Sequence, residues 1–219
     1  MSPTQTPPDL QKSVSRLARI GAQARTIAAC SIILALVACD KAPDIPAISA
    51  QSPAGSPSAD VPAAQESPLA KAATRGNLAK AKELIEEGAK VNVTDALGRT
   101  PLHLAAFSGY PKTSKLLIDS GADLEAKDKV GMTPLHAAVL GGEMQEVELI
   151  LERRPDIQAT TDTGLTALHL AAATGQDPLV AALVRRGANP QSKDRDGRTP
   201  LFYALKNQHP STVALLQKY

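Results

Sequence analysis

Leu69, Leu102, Leu135, Leu168 and Leu201 recur at an interval of 33 residues, and Ala72, Ala105, Ala138, Ala171 and Ala204 follow three residues after each. A second apolar stripe, Leu84, Leu117, Ile150, Leu183 and Leu216, keeps the same interval, with Val147, Val180 and Val213 three residues earlier in their units. Apolar residues three and four apart share one helix face, so each interval predicts two short helices. Gly76, Gly109, Gly142 and Gly175 stand where the first helix should end. Gly88, Gly121 and Gly187 stand where the second should stop in a left-handed residue. The pairs Asp95 and Gly98, Asp128 and Gly131, and Asp194 and Gly197 then spell D-x-x-G, the composition of a hairpin-like turn projecting sideways. One such unit cannot bury its apolar face alone, whereas five stacked units can.

Each unit opens on a hydroxyl residue: SPLA at Ser67, TPLH at Thr100 and Thr133, TALH at Thr166 and TPLF at Thr199. A hydroxyl at the N-cap satisfies an orphan amide, and Pro at the first helical position supplies a preset backbone angle where no N–H is needed. The full wording, T-P-L-H-x-A-A, a Gly, an apolar stretch, G-A-D and D-x-x-G, resembles the ankyrin repeat. The resemblance covers residues 67–219 as units 67–99, 100–132, 133–165, 166–198 and a shortened 199–219. It implies an all-α fold, an ankyrin-repeat solenoid of stacked helix-turn-helix units with hairpin-like finger loops. The third unit departs from the pattern, with Arg154 and Pro155 in place of Gly and Ala and Thr161 in place of Asp. Because a non-Gly residue held left-handed costs about 1–2 kcal/mol, the loop is expected to take another path there. Lys71 and Glu83 in the first unit and Gln208 in the fifth read as solvent-facing caps.

The repeat also decides the candidate chemistry. His103, His136 and His169 occupy one position of successive units. Stacked helices lie about 8–10 Å apart, and zinc needs its nitrogens about 2 Å from one centre, so the three cannot share an ion. The ankyrin resemblance implies instead that each histidine bonds backbone and the Thr hydroxyl at the start of its unit. His209 reads as an exposed residue at a helix start. Ser192, Asp194, Asp196 and Gly197 imitate the start of a calcium loop, but Tyr203 falls where that loop needs a bidentate Glu. No phosphate loop, nucleotide fingerprint, nucleophile elbow or zinc-protease helix occurs. The expectation is a non-enzyme with no cofactor, no metal and no small-molecule substrate.

What remains is surface. In ankyrin arrays the partner is met by the finger tips and the concave face of the first helices, and the resemblance maps these onto particular residues. The tips include Leu97, Arg99, Val130, Met132 and Leu165; the concave face includes Phe107, Tyr110, Leu140, Met144 and Tyr203. Phe107, Tyr110, Leu140 and Met144 fall in adjacent units, where they could form one apolar patch of the kind that marks an interaction site. Charge at the ends of the second helices drifts from Glu86, Glu87 and Asp119 to Arg185, Arg186 and Lys218. Basic residues there suit the helix dipole without any partner.

Upstream of the repeats, Lys12, Arg16, Arg19 and Arg25 precede an uncharged run over 26–38 that ends at Cys39. At 13 residues the run fits a signal-peptide core and falls short of the roughly 20 needed to span a bilayer. Leu36, Val37, Ala38 and Cys39 resemble a bacterial lipobox, which implies removal of residues 1–38 and acyl chains on Cys39. Asp40 resembles an inner-membrane retention signal, which points to a periplasmic, lipid-anchored protein at the inner rather than the outer membrane. Of 24 Lys/Arg and 22 Asp/Glu, four and one lie in 1–38, leaving 20 and 21. No basic field and few aromatics then remain to argue for nucleic acid. With Cys30 removed and Cys39 acylated, the folded part carries no thiol. Residues 40–66 turn to Pro, Ala and Ser, a composition that buries no core and tethers the repeats over about 30 Å as coil or 80 Å stretched. The expected function is capture of another protein by a monomer, as adaptor, inhibitor or immunity-type factor; the alternative is a passive organising component of the envelope.

Overall fold

In a computed structural model the chain divides into two units, Met1–Ala63 and Ala64–Tyr219, and the structure describes residues 67–219. The expectations for 1–38 and 39–66, lipidation of Cys39 among them, lie outside the described residues. The described part forms ten helices in five antiparallel pairs: α1 Pro68–Thr74 and α2 Leu78–Glu86, α3 Pro101–Ser108 and α4 Pro111–Asp119, α5 Pro134–Gly141 and α6 Met144–Glu152, α7 Ala167–Ala173 and α8 Asp177–Arg185, α9 Pro200–Lys206 and α10 Pro210–Leu216. First helices stack on first helices and second helices on second helices, giving two layers.

Position in the stack decides burial. All seven residues of α7 are buried, because the helix is covered by the first helices on either side and by its own partner. That is why the first helices have no polar face. The shared Ala positions let these helices approach, and at Gly141 the fit is tighter still, since a Cβ there would meet the Phe107 carbonyl oxygen at 2.4 Å. The array ends differently: Lys71 and Glu83 face solvent on the first unit, and Phe202 and Leu205 stand exposed on the last.

Each histidine fastens the start of its unit's first helix to the end of that unit's own finger. The Nδ1 of His103, His136 and His169 lies 2.9 Å from the Thr hydroxyl three residues earlier and 3.1–3.2 Å from that residue's amide. Nε2 reaches the carbonyls of Met132, Leu165 and Arg198, each 29 residues on. An amide can only donate and a carbonyl can only accept, so the imidazole is neutral with its proton on Nε2. Burial pushes His136 down to about 4, and burial lowers His103 and His169 as well.

Two loop expectations change. Arg154 does not divert its loop: it takes φ 55 at the position where Gly88, Gly121 and Gly187 have φ 88–99, and its amide bonds Leu151 as theirs bond Ile85, Ile118 and Val184. What the third unit loses is the next bond, because Pro155 has no N–H to match those of Ala89, Ala122 and Ala188. His209 does stand at a helix start, as the N-cap of α10, but it is half-buried rather than exposed. Its Nε2 lies 3.1 Å from the Ala173 carbonyl and its ring covers Gly175.

Candidate partner-binding surface

Three of the four fingers are built by one acidic side chain each. The Oδ1 of Asp95 accepts from the amides of Leu97 and Arg99, that of Asp128 from Val130 and Met132, and that of Asp194 from Asp196 and Arg198. In the third finger the Thr161 hydroxyl takes over, accepting from the Leu165 amide at 3.1 Å and meeting the Thr163 hydroxyl. Partial burial pushes the Asp95 carboxyl up, but the Arg99 guanidinium and the amides of Arg99 and Leu97 outweigh it and hold the group below the ordinary carboxylate range. Backbone bonds then tie each finger to the next: Lys129 to the Leu97 carbonyl, Asp162 to Val130 and Arg195 to Thr163, at 3.0–3.1 Å. The four tips therefore form one cross-bonded row.

On that row Leu97 is 55% exposed and Val130 49%. They are apolar side chains at the same turn position of adjacent fingers, facing solvent on a rigid frame. Arg99 is half-buried with its guanidinium on Asp95, so it is used within its own turn. Met132 is half-buried and its carbonyl receives His103. Leu165, expected at a tip, is buried instead, because its carbonyl and amide are the anchor points for His136 and Thr161.

The concave face sorts itself similarly. Phe107 and Leu140 hold the same place in α3 and α5, which pack together, and both are half-buried. Met144 opens α6 in the row that begins with exposed Leu78. Tyr110 turns away from this group toward the first unit: its ring lies over Gly76, where an added Cβ would meet Cδ1 at 2.4 Å. Glu143 and His209 cover Gly109 and Gly175 in the same manner. Tyr203 is not concave surface at all. It is 3% exposed, its hydroxyl donates to Asp194 Oδ2, and its ring meets His169 and Phe202 edge to face. Burial and the Asp194 carboxylate push the Tyr203 phenol up to about 12.

The charge drift along the second helices also serves the stack. Asp119 receives Lys115 from its own helix and Arg153 from the next unit, both within 2.9 Å, and Arg186 points at the Leu151 carbonyl. One residue escaped the sequence reading. Glu146 on α6 is fully buried at a position that Thr113, Leu179 and Thr212 fill in other units. The signal was a carboxyl at a register position that the second, fourth and fifth units fill with uncharged residues and only the exposed first unit fills with a charge, Lys80.

Among the described residues no group of three or more His, Cys, Asp or Glu converges as metal ligands do, and no helix is long and apolar enough to cross a membrane. A cleft of about 230 Å³ lies between α6 and α8, lined by Glu148, Leu151, Ala182, Arg185 and Arg186. A rigid row of tips above stacked helix pairs defines a repeat scaffold that presents surface to a macromolecule. The chain matches the family model for ankyrin repeats, described as three copies, over residues 54–128 and 135–219, and it belongs to the ankyrin-repeat family. Ankyrin repeats are in general protein–protein interaction modules and non-catalytic binding scaffolds. No curated protein matches the chain.

Proposed function

We propose that this chain is a bacterial lipoprotein, acylated on Cys39 and held at the periplasmic side of the inner membrane, whose ankyrin repeats capture another protein. The observation that carries the binding reading is the pair of exposed apolar side chains, Leu97 and Val130, on finger tips whose backbones are bonded to one another. Ordering such a tip on binding costs little entropy, because the frame is already ordered. Phe107, Leu140 and Met144 extend the contact along the concave side. The lipid reading rests on the basic residues, the uncharged run and the Cys39 motif of the sequence.

Photo-crosslinking in membranes tests the capture. One dominant protein adduct is expected, and it should disappear in the Leu97→Asp/Val130→Lys variant. Stability should change by no more than about 0.5 kcal/mol per site, since both side chains are largely in water. An adduct that survives the double substitution refutes the chosen face, and a diffuse pattern favours a passive envelope component. Incorporation of radiolabelled palmitate into the wild type and its loss in Cys39→Ala tests the anchor; equal labelling of both refutes it.

A further inference from the structure

The core of the third unit contains a carboxylic acid that nothing neutralises. Glu146 is fully buried, neither carboxyl oxygen has a hydrogen-bond partner, and the hydroxyl of Ser114 across the seam on α4 is equally unpartnered. The helix that carries it packs against α4, α5 and α8. Lys115 of α4 is bound to Asp119, and Lys112 is exposed. His136 of α5 has both ring nitrogens engaged. On α8, Asp177 receives Thr212, and Arg185 is exposed. None of these supplies a counter-charge to Glu146.

A carboxylate taken out of water with no cation and no donors either binds a proton or leaves the site. We infer that Glu146 is a proton-operated latch: protonated, it seals the seam between the second and third units, and ionised, it loosens α6 from α4. Acid and Ser114 hydroxyl can satisfy each other as a neutral pair, whereas one hydroxyl cannot solvate a full charge. Burial pushes the Glu146 carboxyl up to about 7, outweighing the opposite pull of the Ser114 hydroxyl. The latch therefore works across neutral pH, closed on the acid side and open on the alkaline side. Met144 lies two residues away on the same helix, so the candidate binding face would move with it. That consequence rests on the proposed function, and the latch itself does not.

Hydrogen exchange of the full chain at pH 5.5 and 8.5, corrected for intrinsic rates, reads the seam directly. Amides of α4 and α6 in the wild type should lose about tenfold or more protection at the higher pH relative to those of α1. Glu146→Gln and Glu146→Leu should abolish that difference. Unchanged wild-type protection, or the same pH dependence in Glu146→Gln, overturns the inference. Should the variants fail to fold, carbon NMR of the wild-type Glu146 carboxyl decides: a midpoint above 6 supports the latch, and one near the ordinary 4.5 overturns it. A partner adduct lost through Leu97 and Val130 but insensitive to pH would leave the binding reading intact and limit the latch to the fold.

Discussion

Acid should loosen the first helix of the third unit from the end of its own finger through His136, by an amount that can be worked out. The ring is fully buried, accepts from Thr133 on Nδ1 and donates from Nε2 to Leu165, so it is neutral in the folded protein. Its ordinary value of 6.5 is lowered to about 4 by burial. Between those limits the unfolded chain binds a proton that the folded chain refuses. Stability is therefore complete above pH 6.5 and is lost as pH falls toward 4, with a total of about 3 kcal/mol at 1.36 kcal/mol per pH unit. Glu146 acts with the opposite sign. Its folded value is raised, so its contribution is complete below 4.5 and is lost as pH rises through about 7. A comparison of wild type with His136→Gln subtracts it. At pH 7 the variant should be less stable by about 2–3 kcal/mol, because two buried hydrogen bonds are lost or distorted. Urea unfolding followed by circular dichroism from pH 7.5 to 4 should show the gap closing to within about 1 kcal/mol at the acid end. A gap of constant size at every pH would refute the neutral, doubly bonded imidazole.

Two backbone positions give further checks. Gly76→Ala should cost about 2–4 kcal/mol, from a left-handed backbone at φ 63 and from the Cβ meeting the Tyr110 ring. In a double-mutant cycle with Tyr110→Ala about 1–2 kcal/mol of that cost should be recovered, and strict additivity in denaturant would show that the ring does not lie there. Arg154→Gly should stabilise the protein by about 0.5–1 kcal/mol, since it relieves the strain at φ 55 by more than glycine adds in unfolded-chain entropy. A fall in melting temperature on that change would mean the residue is not held left-handed.

The exposure of the candidate binding residues was only partly legible in the sequence. Leu97 and Val130 were readable because a D-x-x-G turn places its central residue away from the stack whatever the neighbours are. Tyr110 and Tyr203 were not, because a side chain at the edge of a helix pair can point outward or lie across the next unit. Tyr110 was drawn over Gly76 by the space a missing Cβ leaves, and Tyr203 was drawn inward by the Asp194 carboxylate. The third-unit loop was misjudged for an energetic reason. A local cost of about 1–2 kcal/mol at Arg154 is small beside the contacts that the stacked helices on either side would forfeit if the loop were rerouted.

The sequence by itself determined the unit: its N-caps, the helix-ending glycines, the Asp-nucleated fingers and the 33-residue interval that makes five of them stack. The caps, helix ends and fingers are set by bonds between residues two to five apart, which the order of amino acids specifies directly. Tertiary structure alone decided what one unit does to the next. The finger row joins residues 32 apart in adjacent units, and the Tyr110 ring lies over a glycine of the unit before it. The isolation of Glu146 likewise depends on which neighbouring side chains reach across the seam. Those outcomes follow from the offset and rotation between stacked units, a rigid-body relation that no single repeat encodes.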